Sequence, residues 1–78
     1  MWIKNKKVIN MVEITYDLNG SNIKYIFYDD RGKEEYYIDN NLVEVSYLNE
    51  SIDEYIREMK EGLEILKLVN NITNVKIN

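Results

Sequence analysis

From Val8 to Leu48 the chain alternates apolar and polar residues, interrupted at three places by turn-forming residues. Alternation with period two is the pattern of half-buried strands. Asn19-Gly20 separates the first two runs and is a strong short-range hairpin signal. With Asn19-Gly20 as a two-residue loop, Tyr16 faces Ile23, Ile14 faces Tyr25 and Val12 faces Phe27. A Gly20-Ser21 loop instead pairs Leu18 with Ile23, Tyr16 with Tyr25 and Ile14 with Phe27. Both registers keep the same side chains on one face, because a shift of two preserves side-chain parity.

The second turn is Asp30-Arg31-Gly32-Lys33, with glycine available for a positive φ. An Arg31-Gly32 loop sets Phe27 against Tyr36, Tyr25 against Ile38 and Lys24 against Asp39. The third is Asn40-Asn41, setting Ile38 against Val43, Tyr36 against Val45 and Glu34 against Tyr47. The three turns agree on one buried face: Val12, Ile14, Tyr16, Ile23, Tyr25, Phe27, Tyr36, Ile38, Val43, Val45 and Tyr47. The other face carries Glu13, Thr15, Asp17, Lys24, Glu35, Asp39, Glu44 and Ser46. It also carries Met11, Ile26, Tyr28 and Tyr37, more apolar surface than a solvated face needs.

Ahead of this sheet, Met1-Trp2-Ile3 reads as a short strand and Lys4–Lys7 as a solvated turn, with Trp2 capping one end of the core. After it, Ser51 and Glu54 have capping-box spacing, with Asn49 a competing cap. Ile52, Tyr55, Ile56, Met59, Leu63 and Leu66 then recur at helical spacing. Gly62 either sits inside a helix over 50–69, at a cost near ~1 kcal/mol, or ends it at Glu61 in a Schellman-type cap. The stripe continuing to Leu66 favours one helix. Ile72, Val75 and Ile77 suggest a C-terminal strand or tail over 72–77. The expectation is a single α+β domain over 1–78. Its two layers are a four-stranded antiparallel meander over 8–48 and one long C-terminal helix on one face, with short extra strands at the termini.

Composition narrows the chemistry. The 78 residues contain no His and no Cys, so the commonest general base, metal ligand and strong nucleophile are missing. Ser21, Ser46 and Ser51 fall in a turn, on a strand and at a cap. The acids flanking one turn, Asp29-Asp30 and Glu34-Glu35, lack calcium-loop spacing. The reading is of a protein that is not an enzyme and carries no cofactor or metal. Without cysteine, a membrane-length apolar run or a signal pattern, the expected setting is the cytoplasm. The formal net charge of −4 disfavours direct binding to phosphate backbones and favours basic protein partners. Tyr28 and Tyr37 are placed like base-stacking aromatics, but their acidic neighbours would repel a nucleic acid. Tyr and Ile amid charges suit a protein-contact patch.

The run Asp30-Arg31-Gly32-Lys33-Glu34-Glu35-Tyr36-Tyr37-Ile38, followed by Asn49-Glu50-Ser51-Ile52, resembles part of the small acidic anti-CRISPR proteins of phages that inhibit a CRISPR nuclease. The absence of Ala, Gln and Pro beside abundant Ile, Asn and Lys fits a low-GC bacterium or its phage. The resemblance implies an inhibitor that mimics DNA, its carboxylates occupying Arg and Lys sites that read duplex DNA. The positions it carries over are Asp29, Asp30, Glu34, Glu35 and Asp39. The dense C-terminal acidic cluster that such inhibitors can use is replaced here by Leu63–Val69. The expected function is a small protein-binding module of phage or mobile-element origin. It would occupy a basic site of a nucleic-acid-handling enzyme through those acids, with Tyr28 and Tyr37 beside them. The alternative is a self-association module that forms a homodimer through its sheet face or an edge strand.

Overall fold

The alternating runs form strands β1 Met11–Leu18, β2 Ser21–Tyr28, β3 Lys33–Ile38 and β4 Asn41–Tyr47. Helix α1, Ile52–Leu66, and strand β5, Ile72–Ile77, complete the order. The structure is a computed structural model that describes residues 10–78. The expected N-terminal strand, the Lys4–Lys7 turn and Trp2 lie outside the described residues. The sheet runs β4-β3-β2-β1-β5, and every neighbouring pair is antiparallel. The fold is therefore α+β, with five strands among the described residues. The helix is not the last element: it links one edge strand, β4, to the other, β5.

The first hairpin closes on Asn19-Gly20, with Leu18 opposite Ser21 and Ile14 opposite Tyr25. Both loop residues have positive φ, 50° and 93°, the geometry whose twist matches a two-residue hairpin. The second hairpin departs from expectation. Its loop is the four residues Asp29–Gly32, so Tyr28 faces Lys33, Phe27 faces Glu34 and Tyr25 faces Tyr36. The Arg31 amide turns back to the Tyr28 carbonyl and Gly32 takes φ 63°. The change is a shift of two and leaves the faces intact. It does undo the expected Lys24–Asp39 pair, since Lys24 faces Tyr37.

The third hairpin changes more. Its loop is Asp39-Asn40, with φ 50° and 67°, not Asn40-Asn41. Tyr37 then faces Leu42, but Tyr36 faces Glu44, because Val43 is inserted as a bulge. One extra residue reverses parity downstream. Val45 pairs with Glu35 and Tyr47 with Lys33, both on the face opposite the helix, while Glu44 and Ser46 pair with Tyr36 and Glu34. The expected places of Val43, Val45 and Tyr47 in the core are corrected: all three are exposed. Glu44 and Ser46 lie on the helix side.

The core forms between α1 and the β1–β2 hairpin. Val12, Ile14, Tyr16, Ile23, Phe27, Tyr55 and Leu63 are buried, and Tyr55 stacks on Phe27 with ring centroids 4.3 Å apart. A helix is ~10 Å wide, whereas five strands at ~4.8 Å spacing span nearly twice that. One helix therefore covers the middle of the sheet and, among the described residues, leaves β4 uncovered. That explains why the bulge is tolerated: turning Val45 toward the helix layer would not have buried it.

The capping box forms as expected. Ser51 Oγ accepts from the Glu54 amide at 3.2 Å, and the Glu54 carboxylate accepts from the Ser51 amide at 2.9 Å. The helix passes through Gly62 and ends at Leu66, short of the expected 69. A Cβ at Gly62 would have open space around it. Gly62→Ala should therefore raise unfolding stability by about 1 kcal/mol through helix propensity. The check is a urea midpoint that rises with an unchanged slope.

Candidate protein-contact surface

The helix-free face of the sheet is built from rows of paired residues. One row is Met11, Tyr28, Lys33 and Tyr47; the next is Glu13, Ile26, Glu35 and Val45; the third is Thr15, Lys24, Tyr37 and Leu42. Glu35 is the hub. Its carboxylate accepts hydrogen bonds from Tyr37 Oη at 3.0 Å and Tyr28 Oη at 3.2 Å, and Lys33 Nζ sits 3.1 Å away. Partial burial works against the charged carboxylate, but Lys33 and the two hydroxyls outweigh it and hold Glu35 below the usual carboxylate range. Lys24 Nζ lies 4.7 Å from the centre of the Tyr37 ring, a cation–π contact. The middle of this face is thus already satisfied within the chain.

The acids singled out by sequence do not gather. Glu34 points to the helix side, where Tyr55 Oη donates to it at 2.5 Å. Its neighbour Glu35 lies on the opposite face and is ion-paired. Asp29 and Asp30 occupy the β2–β3 loop, with Asp30 3.9 Å from Arg31. Asp39 lies in the β3–β4 turn at the other end of β3, accepting from the Asn22 amide at 2.9 Å. Tyr28 and Tyr37 share the open face and are joined through Glu35. Among the described residues, no group of three or more acids is placed to hold a metal ion. Two shallow clefts, one lined by Tyr28, Asp30, Arg31 and Lys33 and the other by Tyr16, Tyr25, Met59, Gly62, Leu63 and Leu66, measure about 160 and 200 Å³. Both fall below the ~300–1,000 Å³ of small-molecule sites.

What the sequence reading missed is β4. Leu42, Val43, Val45 and Tyr47 are 54%, 53%, 40% and 71% exposed, and among the described residues they line a strand with a neighbour on one side only. The hydrogen-bond alternation fixes which backbone groups are free. The Leu48 amide donates to the Gly32 carbonyl at 2.7 Å, and the Asp39 amide to the Asn22 carbonyl at 2.8 Å. Counting by two from these pairs, Glu34/Ser46 and Tyr36/Glu44 are bonded pairs, and Lys33/Tyr47 and Glu35/Val45 are not. The N–H and C=O groups of Val45 and Tyr47 therefore point away from β3, toward an edge that no other described strand covers.

The opposite edge is guarded. β5 carries a bulge, with Asn74 at φ 56°, and exposes Lys76. The Asn74 amide is tied to the Asp17 carboxylate at 2.7 Å. Bulges and lysines are the usual blunting of an edge strand. β4 has a bulge too, but its one charged residue is Glu44, on the helix side.

No protein-family model, curated protein or solved structure matches this chain.

Proposed function

We propose that this protein is a protein-binding module whose contact surface is the free edge of β4 and the adjoining open face of the sheet. The observation that carries it is the coincidence, on one edge strand, of outward backbone groups and four exposed apolar side chains. Strand addition uses both: main-chain hydrogen bonds supply affinity and alternate side chains supply selectivity. No helix of the described residues is long and apolar enough to cross a membrane, so the apolar edge is not read as part of a helical span.

The inhibitor reading, in which carboxylates occupy a basic site of a nucleic-acid-handling enzyme such as a CRISPR nuclease, rests on the loop acids Asp29, half-buried, and Asp30, exposed. Glu34 and Glu35 are engaged on opposite faces, and Asp39 is at the far end of β3. The two readings part in one experiment. Tagged wild-type chain is compared with Val45→Lys and with Asp29→Asn/Asp30→Asn for stoichiometric protein capture from a low-GC bacterial lysate treated with nuclease. The edge reading expects capture to be lost with Val45→Lys and kept with the double Asn variant. The reverse pattern would establish the acidic reading and overturn the edge.

A further inference from the structure

Resting on that reading, we infer that the occupant of the β4 edge is a second copy of this chain, paired antiparallel across a two-fold axis at Val45. Two β4 strands related by a two-fold must pair a central residue with itself, and the free backbone groups choose the centre. Val45 presents its N–H and C=O outward, so Val45 opposite Val45 makes a closed hydrogen-bonded pair. The same register places Val43 against Tyr47 and Glu44 against Ser46 of the second copy. Every apolar side chain of the strand core then meets an apolar one, and the one charge meets a hydroxyl. Centring one residue earlier would set Glu44 against Glu44, like charges directly opposed. Centring one later would leave Glu44 facing Leu48, beyond the end of the strand.

Of these registers, the one centred on Val45 is self-complementary. The product, counted over the described residues, is a continuous ten-stranded sheet whose remaining edges are both β5, the guarded strand. That arrangement closes: a β4-to-β5 contact would be heterologous and would propagate into a filament. The open-face row Glu13, Ile26, Glu35, Val45 would run through the axis into its own copy. The two Glu35 hubs would flank it, each neutralised by its own Lys33.

The test uses the full chain. Light scattering across a concentration series should approach twice the 9.4 kDa chain mass, with no higher species. Val45→Lys opposes two cations at the axis and should weaken the dimer by ~100-fold or more. Its circular dichroism and thermal midpoint, close to wild type, would show that the domain itself is intact. Ser46→Lys faces Glu44 of the second copy twice and should tighten the dimer. Because the chain has no cysteine, Val45→Cys gives a single reporter. Its Cα atoms would lie ~5.5 Å apart, within disulfide reach, and mild oxidation should cross-link it. Lys60→Cys, on the helix, should not cross-link.

A ladder of higher oligomers, or a dimer that Val45→Cys fails to cross-link, would overturn the proposed pairing. A wild-type monomer at all concentrations overturns it as well. If Val45→Lys nevertheless abolishes capture of another protein, the edge reading survives and only the self-pairing falls. A monomer whose capture is indifferent to Val45→Lys defeats both.

Discussion

Tyr55→Ala is expected to remove most of the stability of this domain. The ring is 2% exposed, stacks 4.3 Å from Phe27, and carries a hydroxyl that donates to Glu34. Truncating a buried aromatic to Ala costs about 3–5 kcal/mol in lost transfer energy and cavity. A domain of this size has on the order of 4–12 kcal/mol in total. The loss falls where, among the described residues, α1 is the one helix covering the core side of the sheet. Chemical denaturation should show a midpoint lowered by a large fraction of its wild-type value or no cooperative transition at all. Tyr55→Phe separates the two contributions. It keeps the stack and leaves Glu34 without its donor, a cost of about 1 kcal/mol for a half-exposed acceptor. Equal losses for Ala and Phe would mean that the hydroxyl, not the ring, holds helix to sheet.

Gly32→Ala is expected to be the most damaging single-methyl change. Gly32 has φ 63°, and a Cβ there would lie 2.1 Å from the Leu48 carbonyl oxygen. The left-handed backbone alone is a modest strain, but the oxygen it would strike is main chain and cannot rotate aside. It closes the β3–β4 ladder, where the Leu48 amide donates to the Gly32 carbonyl. Strain plus loss of that bond amounts to about 2–4 kcal/mol. Gly20 is the matched control: its φ is 93°, yet nothing lies within 4 Å of a Cβ. Gly20→Ala should cost only the backbone term, about 1 kcal/mol. If the two variants unfold at the same urea concentration, the close approach of Leu48 has no energetic weight. Because Gly32 anchors the end of β4, its Ala variant should also loosen the proposed contact strand. Faster amide exchange at Glu44 and Ser46, whose amides bond to β3, would register that.

The candidate surface was only half legible. Tyr28, Tyr37 and Glu35 were placed on the open face by parity alone, since parity survives any shift of two. That Glu35 would gather both hydroxyls and Lys33 was not visible, because Glu35 pairs with Ile26 and Val45, not with either tyrosine. Tyr28 lies diagonal to it on β2, and Tyr37 and Lys33 lie two residues away along β3 itself. Glu34 and Glu35 look like one acidic pair in the chain, yet adjacent strand residues point to opposite faces. The grouping of acids by sequence proximity therefore mistook neighbours for companions.

By itself the sequence determined the strand-rich α+β plan, the hairpin around Asn19-Gly20 with the faces of its two strands, and the capped helix with its apolar stripe. Each of these is written in local chemistry: turn residues with the required φ, a side chain that closes a cap, a repeat that matches the element. Only the tertiary structure decided which way β4 faces. The Asp39-Asn40 turn alone would have kept Val43 and Val45 on the helix side. The bulge at Val43 reversed them, and no glycine marks it. A bulge is chosen by what lies on either side of a strand, and here, among the described residues, the one helix packs over β1 and β2 and leaves the helix side of β4 uncovered. The edge that we propose as the contact surface exists because one helix is narrower than five strands.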